Sequence, residues 1–316
     1  MQPQEKSGII KAVRSIFRLG HEGVYTPLMP TPTLKGRNTS MNIGMRAHDI
    51  DCADIPTLAA RLKQNNIDTI QLALLKSAQD LNLQPGMFSP GLARHIGKPL
   101  LENGIHISVL GCYINPVHPD PAERAVQIAR FQEHIQYAKF LGADMIGTET
   151  GSINADFSFN PKNHSEENYQ DFLSVMRGLV AYAASLGVCV GIEPVSIFTV
   201  YSPKRMKRFL DDIDASNVLA IFDPVNLITA ENYQNQRELF DEAFDLFGDR
   251  IAAVHLKDFI IENGRPVYAL PGDGMLDYPY LFRLLRERKP HVSLLLEEVK
   301  EKDLARVREN LIQLAQ

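Results

Sequence analysis

Val188-Cys-Val-Gly-Ile-Glu193 is a short apolar run that stops at a carboxylate. The pattern recurs three times further along, in Val218-Leu-Ala-Ile-Phe-Asp223, Ile251-Ala-Ala-Val-His255 and Val292-Ser-Leu-Leu-Leu-Glu297. Runs this short, rich in β-branched residues and bounded by polar or turn residues, read as buried strands. Toward the N-terminus four more strand candidates lie near Met41–Arg46, Thr69–Leu74, His106–Gly111 and Asp144–Gly147. The eight starts fall about 30 to 45 residues apart, the spacing of strand–helix units in a parallel sheet. Between the third and fourth strands, Ile128, Phe131, Ile135, Ala138 and Leu141 recur at helical spacing, and Gly142 follows as a stop. Further helices are expected over 165–185 and 302–314.

Eight such units can close into a barrel or open into a doubly wound sheet. No GxGxxG turn follows any strand, which weighs against the dinucleotide-binding open form. The polar residues gather just beyond the strand ends, where barrel enzymes place their sites. The expected fold is therefore α/β, a (β/α)8 TIM barrel over 41–316 with an N-terminal extension over 1–40. That extension carries a basic amphipathic stretch, Lys6–Arg18, followed by a segment interrupted by Pro27, Pro30 and Pro32. It lacks the continuous apolar run of a signal peptide and reads as a structural piece or a homo-oligomer contact.

The chain has 316 residues, with 33 Lys+Arg against 38 Asp+Glu, a formal net charge of −5. This mild acidity argues against a broad grip on nucleic acid. No apolar run reaches the roughly 18 residues needed to span a bilayer, so no membrane role is expected. Cys52, Cys112 and Cys189 are scattered thiols without a CxxC pair, which speaks against a disulfide framework and for a reducing, cytoplasmic setting.

On a closed barrel the last four strand ends are neighbours, so Glu193, Asp223, His255 and Glu297 should converge. Three clustered carboxylates repel, and one divalent cation resolves the conflict. Carboxylate oxygens with one imidazole suit Mn²⁺, the favoured ion, and also Mg²⁺, Co²⁺ or Zn²⁺. Such an ion polarises a chelated carbonyl and acidifies the neighbouring C–H, whose proton the carboxylates can move. Glu297 is preferred over Glu298 because it directly ends the aliphatic run, and only one of two adjacent strand residues can point inward. Lys257 shares a strand face with His255 and could protonate or stabilise an alkoxide. The carboxylates of the cluster and Lys257 are thus the candidate catalytic groups. Asn226, Asn115, His118, Glu149, Asp258 and Arg46 are the candidate substrate contacts.

In their order and placement these motifs resemble the xylose-isomerase-like TIM-barrel superfamily over about 41–316. The most specific part is His255-Leu-Lys-Asp258, then Gly264-Arg265, Pro271-Gly-Asp-Gly274, Leu276-Asp277 and Leu294-Leu-Leu-Glu297. The resemblance implies that Glu193, Asp223, His255 and Glu297 hold one metal, with Glu193 and Glu297 as an acid/base pair. Departures narrow it. Endonuclease IV needs further histidines, one of them where this chain has Asn226. Ketose 3-epimerases tend to carry that histidine too, and an arginine where this chain has Ile261. The His-Leu-Lys-Asp form looks more like the inosose dehydratase and uncharacterised isomerase branches. The expected activity is a metal-dependent isomerase or epimerase acting through an enediolate on a small, unphosphorylated ketose or polyol. An inosose-type dehydratase is the alternative, and a non-catalytic sugar-binding barrel a further one.

Overall fold

Alternation along each strand organises the molecule. The computed structural model describes Met41–Gln316 except Ala53. The expectations for residues 1–40, including the amphipathic stretch and the oligomer contact, lie outside the described residues.

Seven strands come first: β1 (Ile43–Arg46), β2 (Thr69–Leu72), β3 (His106–Gly111), β4 (Ala143–Glu149), β5 (Cys189–Glu193), β6 (Val218–Phe222) and β7 (Ile251–Leu256). An antiparallel hairpin, β8 (Asp258–Glu262) and β9 (Arg265–Ala269), intervenes before β10 (Ser293–Leu296). Strands β1 to β7 and β10 pair in parallel and close into a barrel, β10 joining β7 to β1. All eight expected strands are present, and the expected TIM barrel forms. The helices on its outside start where expected. The helix Pro121–Leu141 is capped by Asp120, whose carboxylate accepts from the Ala122 and Glu123 N–H groups, and it stops at Gly142 with φ +76°. The helices Glu166–Ser185 and Glu301–Leu314 match the other two expectations.

Outward-facing residues such as Ile43, Met45, Leu294 and Leu296 join the large core between strands and helices. Inward-facing Val109, Met145, Ile221, Ala253 and Leu295 form a second core inside the barrel. Space there is short. A Cβ on Gly147 would come within 2.6 Å of Val109 and 2.8 Å of Ile221, so that position accepts only glycine without a shift. Each full burial of a large aliphatic or aromatic side chain contributes about 1.5–3 kcal/mol, so these two layers dominate the fold's stability.

The inward ladder fixes what stands at the C-terminal mouth. Two residues beyond Ile221 is Asp223, beyond Ala253 is His255, beyond Leu295 is Glu297, and beyond Gly147 is Glu149. The site is the polar top layer of the barrel's own filling. The hairpin is not among the eight expected strands. Its Asn263-Gly264 turn has φ +49° and +73°, the left-handed pair that a tight two-residue hairpin turn requires.

Candidate active site

At the mouth, the side chains of Glu193, Asp223 and His255 each offer a ligand atom, all within 4.8 Å of one another. All three residues are buried. Glu297 stands beside them, its Oε1 3.3 Å from His255 Nδ1, matching the 3.3 Å from that nitrogen to Glu193 Oε1. The structure thus groups the four expected residues, three as a tight set and Glu297 adjacent to it.

Lys257 enters the same space. Its Nζ lies 2.6 Å from Glu297 Oε2 and 2.9 Å from Asp223 Oδ2. Asp223 Oδ1 accepts from the backbone N–H groups of Val225 and Asn226, while its buried Oδ2 faces the Lys257 ammonium. Asn226 donates to Glu193 Oε1 at 2.6 Å and accepts from Lys257 at 3.3 Å. Two buried carboxylates and a histidine with their donor atoms this close fit a divalent cation, since the donors are oxygen and imidazole nitrogen.

Glutamine 71 on β2 escaped the sequence reading. Its Oε1 lies 2.8 Å from His255 Nε2, and its Nε2 donates to the Tyr113 hydroxyl at 2.7 Å. An amide oxygen can only accept, so Nε2 carries a proton, and Nδ1, which faces the carboxylates, is the nitrogen that would give up its proton to hold an ion. A lone glutamine on the inward face of an apolar strand was the available signal.

The charges polarise one another. Burial opposes a proton on His255, yet Glu297 and Glu193 outweigh it and raise its pKa to about 9. Burial opposes ionisation of Glu297, yet His255, Lys257 and Arg46 hold its pKa down to about 2. For Glu149 the help of Lys257 and His255 is outweighed. Burial, then the Glu193 carboxylate, pushes it up to about 8, so it is largely protonated at neutral pH. It pairs in register with Glu193 across β4 and β5.

Four expected substrate contacts have other work. Asp258 accepts backbone N–H groups from Phe259, Gly272, Gly274 and Leu276, so both oxygens are spent on folding the loop that follows the hairpin. Asn115 is fully buried and ties Ser152 and Val117 into the loops after β3 and β4. His118 Nδ1 accepts from the Asp120 N–H at the start of its helix. Arg46 forks onto Asp49 and reaches Glu298 at 2.7 Å, bracing β1 against the end of β10, and stands 3.7 Å from Glu297. These bonds make the four residues part of the mouth's construction. Asn226 and Lys257 do line a cavity of about 840 Å³ that opens there, with Arg265 and Tyr268 of the hairpin on its wall.

A closed parallel barrel with an acidic, histidine-containing cluster at its C-terminal mouth defines a class of barrel enzymes. Residues 59–314 match the family described as xylose isomerase-like TIM barrel, and the chain belongs to that family. Comparison with curated proteins gives no significant match. Solved structures share the fold at low identity. A xylose isomerase-like TIM barrel protein from Mycobacterium smegmatis, in complex with magnesium, has a TM-score of 0.63 at 15% identity, covering 82% of this chain and 87% of that one. The 3-keto-D-glucoside 4-epimerase of E. coli has a TM-score of 0.63 at 18% identity, covering 87% and 98%. A probable 3-DHS dehydratase from Bacillus anthracis has a TM-score of 0.66 at 13% identity, covering 87% and 99%.

Proposed function

We propose that the protein is a divalent-metal-dependent isomerase or epimerase of a small ketose or related polyol. The carrying observation is the pair Glu193 and Glu297, each 3.3 Å from the same face nitrogen of His255, with Asp223 beside them. Two carboxylates about one point can remove a proton from a carbon next to a carbonyl and return it elsewhere. Return to the other face gives an epimer, and return to the neighbouring carbon gives an isomer. Glu193, Asp223, His255 and Glu297 would hold the ion, which supplies positive charge against the enediolate oxygens. Mn²⁺ is the first choice, and Mg²⁺, Co²⁺ and Zn²⁺ suit the same donors. Lys257 neutralises two of the carboxylates and is placed to steady an alkoxide. The similarity to an epimerase and the free thiols Cys52, Cys112 and Cys189 agree with a cytoplasmic sugar-modifying enzyme.

One observation favours the dehydratase reading. Expelling a β-hydroxyl needs a proton donor, and Glu149, buried in register beside Glu193, is pushed toward its acid form. Exchange in D₂O separates these outcomes. The Mn²⁺-loaded protein should incorporate deuterium into a keto-sugar, and Glu193→Gln should lower the exchange at least about 100-fold while keeping the fold. Full exchange by that variant would remove Glu193 from the reaction. An unsaturated product in place of an epimer would make the enzyme a dehydratase.

A further inference from the structure

Away from the cluster, the cavity changes character. Val195 and Ile197 follow β5, Val225 and Ile228 follow β6, and these four share its lining with Phe159 and Tyr268. Phe159, Ile197 and Tyr268 are 51%, 39% and 45% exposed, and all three line this one cavity. The wall is fixed in place. Ser196 N–H donates to the Asn226 carbonyl at 2.8 Å, Asn163 donates to the Ile197 carbonyl at 2.8 Å, and the Tyr268 hydroxyl donates to the Glu298 carbonyl at 2.9 Å. The first of these bonds ties the aliphatic wall to the residue that holds Glu193.

A bare sugar suits such a wall poorly. A hydroxyl pressed against it loses water without gaining a partner, which is unfavourable. Aromatic rings alone would not decide the matter, since the C–H face of a sugar stacks on them. Valine and isoleucine offer neither a donor nor a π-face. The cavity, at about 840 Å³, also lies toward the upper end of the range of about 300–1,000 Å³ for drug-sized ligands. The polar floor would take the reacting carbonyl and hydroxyls, leaving the outer half for something apolar.

We infer that the substrate is a keto-sugar carrying an apolar, ring-sized substituent, a glycoside with an apolar aglycone, the substituent resting on Val195, Ile197, Val225 and Ile228. This rests on the proposed sugar chemistry at the floor and names the substrate class for it.

The test uses the full-length, Mn²⁺-loaded protein and a matched pair, the phenyl and methyl glycosides of one 3-keto-hexose. Calorimetry should give the phenyl compound at least about tenfold tighter binding. In the double variant Ile197→Ser, Val225→Ser that advantage should shrink to about twofold, with the methyl glycoside little changed. Equal affinities, an unchanged gap in the variant, or no binding of the phenyl compound would each overturn the inference. Proton exchange on the same pair separates it from the reaction. Exchange without phenyl preference overturns the apolar subsite and leaves proton abstraction standing. A phenyl preference without exchange supports the subsite and sinks the proposed reaction.

Discussion

Histidine 255 shows how one residue's role depends on a neighbour that sequence pattern does not mark. Its Nε2 proton is held by Gln71, and this turns Nδ1 toward the carboxylates. Gln71→Leu should therefore lower Mn²⁺ affinity about 10–100-fold, measured by titration calorimetry, with the circular dichroism spectrum unchanged. Gln71→Glu keeps an acceptor and should lose less. Native affinity in the leucine variant would show that Gln71 does not position the imidazole. The four strand-end residues were legible because an ionisable group closing an apolar run has few reasons to be there. The choice of Glu297 over Glu298 has a physical reason in the ladder, since Glu297 shares the parity of inward-facing Leu295, while Glu298 pairs with Arg46. Asp258 and Asn115 are the opposite case. Their type shows that they can bond, but not that backbone N–H and carbonyl groups have already taken their capacity.

At the scale of elements, helices were read well because their period, caps and stops are local signals. The hairpin β8–β9 was not, because its strands are short, Pro266 weakens the pattern, and its turn sits inside a stretch that resembled a glycine loop. The helix Pro121–Leu141 carries a property no periodicity reveals. His134 is buried on it, its Nδ1–H donating to the Arg130 carbonyl at 2.9 Å and its ring 5.1 Å from Phe88. Burial pushes its pKa down to about 4, against about 6.5 when unfolded. Between these values the unfolded chain binds the proton and the folded one does not, so stability rises with pH there. The contribution is complete above about pH 6.5 and is lost as pH falls toward 4, about 3 kcal/mol in all. Urea unfolding at pH 7.5 and pH 5 should show a smaller acid loss for His134→Leu than for the native protein. Equal losses would rule this histidine out as the source.

For the whole molecule the question is whether the ion is part of the fold or a guest in it. The barrel closes through backbone pairing around all eight strands, and its two apolar layers meet without help from the mouth. At the mouth, Lys257 already stands 2.9 Å from Asp223 and 2.6 Å from Glu297, so the clustered negative charge is partly compensated by the chain itself. The described protein should therefore fold without metal and gain only the linkage term on binding it. At an ion concentration 100 times the dissociation constant that term is about 2.7 kcal/mol. For a domain of this size each kcal/mol shifts the midpoint by about 2–4 °C, so Mn²⁺ should raise Tm by about 5–11 °C and a chelator should reverse the rise. Lys257→Met removes the internal counter-charge, so it should lower the metal-free Tm and widen the gap between the two forms. Scanning calorimetry of both proteins, with Mn²⁺ and with chelator, measures all four values. A chelated native protein that is unfolded would show the ion to be structural, and a Lys257→Met variant with the native gap would show that the lysine carries none of the cluster's compensation.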